Sequence, residues 1–212
     1  MPIALSIIGP QGSGKSTQLE ILRALGYAAI DMSQVLSPSG FIAWTMSWIT
    51  RFSEKGRKHA RIKRCMKKGL LVPDEDVLQI LEEYLSKIPA GKNLVFVGMP
   101  RNATQAQYLE ALLRKRGVTL YYVILEMPED VARERIAKRV EEMRAKGEEP
   151  REDDLDPETV SRRLRKYYEN LALIKKHIAS TNTSFGSIDA LLSKKEVARR
   201  ISEFIRPFSL AA

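Results

Sequence analysis

The segment Gly9-Pro-Gln-Gly-Ser-Gly14-Lys15-Ser16 constrains the fold of this chain more than any other. It fits the spacing GxxxxGK[ST] at every fixed position. An apolar run, Ile3 to Ile8, precedes it, and a stretch with Leu19, Leu22 and Leu25 on one helical face follows. Strand, glycine turn and helix in that order make a cradle for phosphate. The glycines let backbone N–H groups converge on one point, and the helix N-terminus adds its partial positive charge. Gly12, Ser13, Gly14, Lys15, Ser16 and Thr17 are therefore candidate ligands of a nucleoside triphosphate. Lys15 would reach the β- and γ-phosphates, and the Ser16 hydroxyl can meet Mg²⁺.

The rest of the chain alternates in the same way. Residues 27–30, closed by Asp31, and residues 93–97, 120–125 and 185–188 read as further short strands. Helix starts are marked by Pro73 with Asp74, Glu75 and Asp76, and by Pro128 with Glu129 and Asp130. Asp156-Pro157 and the capping box Ser193 to Glu196 mark two more. Phe41, Trp44, Trp48 and Phe52, spaced by three and four, predict an amphipathic helix. Alternation of this kind means an α/β fold, a parallel sheet with helices on both faces. At 212 residues it is one domain.

Composition excludes several classes. One cysteine, Cys65, rules out a disulfide scaffold or a cysteine zinc cluster and suits a reducing cytoplasm. No apolar run approaches the ~18 residues of a membrane span. The net charge of +9 is concentrated: residues 51–68 hold nine basic residues against Glu54 alone, a net +8. Such a stretch is either a solvated helix face or a funnel for a polyanion. His59, His177 and Cys65 stand without partner patterns and read as incidental, the histidines as solvated surface residues.

Further groups of residues follow the loop: Asp31-Met32; Gly69-Leu-Leu-Val-Pro-Asp-Glu75; Gly98-Met-Pro-Arg101, with Gln105 four residues on; Glu134-Arg135-Ile-Ala-Lys-Arg139; Arg151-Glu-Asp-Asp154; and Arg163-Leu164. With GPQGSGKSTQ ahead of them, they resemble the successive signature segments of adenylate kinases and their nucleoside monophosphate kinase relatives. The resemblance implies a P-loop NTPase-type three-layer fold around a five-stranded parallel sheet. It also implies a helical acceptor-binding insert at residues 31–73 and a lid at residues 140–150. The lid, short and free of cysteine, resembles that of the zinc-free members.

By the same resemblance, Lys15, Arg101, Arg135, Arg139, Arg151 and Arg163 are the catalytic cations, with Arg135 and Arg139 on ATP. Asp31, Gln34, Leu71, Val72, Gly98, Arg101, Gln105, Arg151 and Arg163 would surround the acceptor nucleotide. Adenine of ATP would lie near residues 189–193. The implied partners are ATP and AMP, with Mg²⁺ and without zinc or membrane, in a monomer. The arginines make chemical sense on their own: a phosphoryl group in transfer spreads negative charge that fixed cations stabilise. Asp153 and Asp154 read as electrostatic partners of the lid arginines. Arg162 beside Arg163 leaves the register open by one residue.

The chain also departs from the resemblance. Val97 stands where the family carries an aspartate that helps order Mg²⁺, so Ser16 and Asp31 are the remaining candidates for the metal. Gln34 stands in the place of an arginine on the acceptor phosphate, which one of the basic residues of 51–64 could replace. Ala29 replaces a threonine near the acceptor base and is common in pyrimidine monophosphate kinases. Gln105, by contrast, matches an adenine-reading amide. AMP is thus the expected acceptor, with UMP or CMP the alternative. Another small-molecule kinase on this fold also remains open. So does a nucleic-acid-associated ATPase, although the basic stretch lacks the interleaved aromatics that stack on bases.

Overall fold

The computed structural model describes residues 1–36 and 54–209. The expected helix through Phe41, Trp44, Trp48 and Phe52, and Arg51 of the basic stretch, lie outside the described residues. Five parallel strands form one sheet in the order β2-β3-β1-β4-β5. They are β1 (Ile3–Ile8), β2 (Ala28–Asp31), β3 (Leu94–Val97), β4 (Thr119–Glu126) and β5 (Phe185–Asp189). Helix α1 (Lys15–Ala24) follows β1, and α2 (Met32–Leu36) follows β2 directly. Then come α3 (Glu54–Lys67), α4 (Asp74–Leu85), α5 (Ala103–Lys115), α6 (Glu129–Ala145), α7 (Glu152–Leu155), α8 (Pro157–Thr181) and α9 (Lys194–Ser209). The fold is the three-layer α/β arrangement that the alternation predicts.

Strand alternation sorts the core into two layers. Ala4, Ile8, Ile30, Leu94, Phe96, Tyr122 and Ile124 face α4, α5 and the second half of α8. Leu5, Ile7, Val95, Val97, Val123 and Leu125 face α1, α6 and α9. Ala29 packs against this second layer, not toward the cleft described below. Asp156 caps α8, accepting from the N–H groups of Glu158 and Thr159, and Ser193 accepts from Glu196 N–H at the start of α9. His177 corrects the expectation of a solvated histidine: its ring meets the Glu110 carboxylate at 3.1 Å, and its side chain is 10% exposed. His59 is exposed, as expected.

The order places the site. From β1 the chain moves to one edge of the sheet, returns with β3 beside β1, then continues on the other side with β4. Ligands of such sheets bind at this reversal, beyond the carboxyl ends of the strands. The glycine loop after β1 and the Gly98–Arg101 turn after β3 meet there, and Ser6 on β1 donates to Met99 O at 2.7 Å to hold the turn down.

Gly69 links α3 to α8. Its φ is +62°, and a Cβ there would sit 2.8 Å from both Thr159 Cγ2 and Arg163 Cγ. We expect Gly69→Ala to cost about 1–3 kcal/mol in chemical denaturation, from backbone strain and overpacking together. Because the crowded atoms belong to Arg163, turnover should fall as well. A variant with unchanged stability and turnover would show that this junction yields freely.

Candidate active site

A cleft with a volume of about 920 Å³ opens at the carboxyl ends of β1, β2 and β3. One wall is the glycine loop. Gly14 caps α1 in the left-handed region at φ 86°, and Gly12 has φ 80°. A Cβ on Gly12 would meet Arg135 Cβ at 3.0 Å, so glycine permits the close approach of α6. Lys15 folds back over the loop, donating to Gly9 O at 2.7 Å and Pro10 O at 2.6 Å. Desolvation, then the charges of Arg101 and Arg139, push its pKa down from 10.5 to about 7; Asp31 pulls it up and Arg163 lowers it further.

The opposite wall is cationic. Arg139 donates to Asp154 Oδ2 at 2.5 Å, and Arg163 reaches Asp153 Oδ2 at 2.6 Å and Asp154 Oδ1 at 3.2 Å. Asp154 is the hub: its side chain is 1% exposed, and Gln11 Nε2 of the loop lies 3.5 Å from it. Arg135 bridges Gly12 O at 3.3 Å and Ala190 O at 2.9 Å, joining the loop to the segment after β5. Desolvation within the cleft lowers the pKa of Arg163 and of Arg101, although Arg101 stays accessible to solvent. Arg101 holds Gly98 O through Nε at 3.1 Å. Arg139 Nε is buried and finds no acceptor among the described residues, so a donor is left over in this wall.

Of the expected site residues, the structure brings Gly12, Gly14, Lys15, Ser16, Thr17, Asp31, Gln34, Leu71, Gly98, Arg101, Arg135, Arg139, Arg151 and Arg163 to this one cleft. Ser13 and Val72 are buried behind its wall. Gln105 does not line it. Its Oε1 accepts the Arg101 N–H at 2.8 Å, and its Nε2 donates to Asp74 Oδ1 at 2.8 Å, so both ends of the amide are engaged internally. The neighbouring arginines separate cleanly: Arg163 enters the cleft, whereas Arg162 turns away to Lys68 O at 2.8 Å. Sequence reasoning passes over Ser6, Gln11 and Asn170; Ser6 and Asn170 are buried polar residues, and the partner of Ser6, Met99, lies far away in the chain.

The donor set suits a hard cation carried in with phosphate. Ser16 is exposed at the loop. Asp31 accepts from Ser33 N at 2.9 Å and Ser33 Oγ at 2.6 Å, both on Oδ1, and Oδ2 takes no hydrogen bond from a described residue. Asp31 pairs in register with Val97, so its carboxylate is supplied one strand over from that apolar position. Among the described residues no three His, Cys, Asp or Glu side chains gather to hold a metal by themselves. One or two protein oxygens with phosphates and water are the usual surroundings of Mg²⁺.

The protein-family model described as "Adenylate kinase" matches residues 7–182. The chain belongs to the adenylate kinase family. It is 30% identical over 202 residues to an adenylate kinase of Methylobacterium nodulans, covering 94% of each chain. Adenylate kinases of Azorhizobium caulinodans and Brucella melitensis are each 31% identical over 204 and 205 residues, with 95% and 96% of this chain covered and 97% and 98% of theirs. The chain is thus an ATP-dependent phosphotransferase of the nucleoside monophosphate kinase class. No described helix is long and apolar enough to cross a membrane.

The lowered pKa of Lys15 has a signed consequence. Free protein loses the ammonium charge as pH rises through about 7, while a bound triphosphate holds it protonated. ATP affinity should therefore weaken above pH 7, approaching about tenfold per pH unit, with proton uptake on binding. Titration calorimetry from pH 7.5 to 9 in buffers of different ionisation enthalpy checks this. A flat affinity with no proton uptake would contradict it.

Proposed function

We propose that the protein transfers the γ-phosphoryl of Mg·ATP to AMP, giving two ADP reversibly. One observation carries the reading: Lys15, Arg101, Arg139 and Arg163 share a single cleft that runs from the phosphate loop to α2 and α3. A donor-only site would need no second cationic end.

Gly12, Ser13, Gly14, Lys15, Ser16 and Thr17 would hold the triphosphate, and Arg135 and Arg139 would brace it from α6. Residues 31–73 would form the acceptor insert and residues 140–150 the lid. Arg101, with Asp31, Gln34, Leu71, Val72 and Gly98 around it, would seat the acceptor phosphate. In the transfer, an acceptor phosphate oxygen bonds to the γ-phosphorus as the bond to the β–γ bridging oxygen breaks. ADP leaves, and AMP has become ADP. Arg139, Arg151 and Arg163 would stabilise the charge spread over the moving phosphoryl, an effect that one arginine can raise to roughly 10³–10⁵ in rate. Bound Mg²⁺ supplies further neutralisation of the phosphate oxygens, and Ser16 and Asp31 are the residues that would hold it. We place the enzyme in the cytoplasm as a monomer.

A second reading, a pyrimidine monophosphate acceptor, draws on Gln105. To read adenine its amide would have to leave Asp74 and the Arg101 backbone. A coupled assay with ATP and each monophosphate in turn decides. We expect ADP formation with AMP well above UMP and CMP; preference for a pyrimidine would move the reading to the alternative, and no turnover with any acceptor would reject the kinase assignment.

The metal assignment has its own test. Asp31→Asn combined with Ser16→Gly should raise the Mg²⁺ concentration needed for half-maximal rate by about tenfold, the cost typical of losing one charge-assisted contact. An unchanged Mg²⁺ dependence would remove both residues from that role.

A further inference from the structure

We infer that Lys63, on the insert helix α3, is a further cation of the acceptor-phosphate subsite, acting with Arg101 and Arg163. The inference rests on the kinase reading and deepens it. A phosphate monoester is close to a dianion at neutral pH, and charged donors from Arg and Lys hold it with strong hydrogen bonds. The acceptor end of the cleft is walled by Asp31, Ser33 and Gln34 from β2 and α2, and by the Gly98–Arg101 turn. Gln34 offers hydrogen bonds and no charge. Asp31 adds negative charge. On these two elements, Arg101 stands as the lone cation.

Arg163 of α8 already bears on Arg101, and the third wall adds a cation carried by the insert itself. Lys63, Met66 and Lys67 line the cleft, spaced by three and four, so they form one stripe of α3. Ile62 is buried in the layer beneath, with Cys65 and Met66 packed on it, which fixes the rotation of the helix. Gly69 and Leu71 carry the same wall onward. The cations of α3 then divide by partner. Arg61 forks onto Asp76 at 2.9 and 2.6 Å, Lys58 reaches Gln79 at 2.7 Å, and Lys67 meets Glu152 at 3.1 Å. Among the described residues no carboxylate pairs with Lys63. It is exposed, faces the cleft and sits on a tethered helix, the arrangement of a cation kept for a ligand.

The test compares Lys63→Met and Lys63→Arg with the unaltered enzyme, and Lys115→Met as a charge control on the far helix α5. KM is measured for AMP and for ATP, and direct binding is measured for AMP and for adenosine. Lys63→Met should raise the AMP KM by roughly 10- to 100-fold, the effect of losing a hydrogen bond to a charged group. The ATP KM should stay within twofold, and adenosine binding should not change. Lys63→Arg should retain most AMP affinity, which separates charge from fold. An AMP KM within twofold of the unaltered enzyme would overturn the inference, as would a parallel loss of ATP or adenosine affinity. Either result with normal turnover of the unaltered enzyme would leave the kinase reading standing, whereas absence of turnover with every monophosphate would remove that reading itself.

Discussion

Guanidinium and ammonium groups gathered around one cleft repel one another, and the cluster survives because Asp154 lies between two of them. Its carboxylate takes Arg139 on one oxygen and Arg163 on the other. The short helix α7 delivers it, beginning beside Arg151 and ending just before the cap of α8. Removing a buried partner of this kind leaves uncompensated charge and typically costs roughly 3–5 kcal/mol. Lys15 meets the same problem differently. It spends its donors on the carbonyls of its own loop and lets its pKa fall. Lys15, Arg101, Arg135, Arg139 and Arg163 are thus each parked on an internal acceptor that phosphate oxygens can replace. Donors held in place before the charge develops need little reorganisation during the transfer, which is where such sites gain most of their rate.

This arrangement also couples the parts of the cleft. Asp154 touches α6 through Arg139, α8 through Arg163 and the glycine loop through Gln11. Lys67 of α3 reaches Glu152 of the same short helix. Phosphate that draws Arg139 away from Asp154 changes the charge seen by Arg163, and so by the acceptor end. On the proposed reading, donor and acceptor sites share one electrostatic hub without needing a long path between them.

Much of this was legible in the chain because it is local. Strand periods, the glycine spacing and the caps at Asp156 and Ser193 depend on neighbours a few residues away. The arginines were legible as residues, but their geometry was not. Arg162 and Arg163 differ by 100° of helix phase, and only packing of α8 tells which enters the cleft. Helix α5 illustrates a different loss: the Arg101 and Gln105 pair reads as a binding signature, while Ala106, Leu109 and Leu113 on the same segment are a buried face. Ser6 finds Met99 across 93 residues, Gln105 finds Asp74 across 31, and His177 finds Glu110 across 67. Pairings at such separations are set by sheet order and leave no spacing to read.

The basic stretch shows how a single charge run can serve two ends. A helix turns 100° per residue, so a dense run of lysine and arginine cannot present all its charge to one side. In α3 the outward share holds structure: Arg61 on Asp76 ties α3 to the first turn of α4. The inward share, Lys63 and Lys67, faces the cleft. A polyanion tracking along α3 would need the cations on one open face, and here Arg61 already has a buried carboxylate. A small phosphate in the cleft needs only the inward Lys63, since Lys67 is held by Glu152. The division by helix phase therefore favours a compact anionic ligand over a nucleic acid strand, on geometry that the net charge alone conceals.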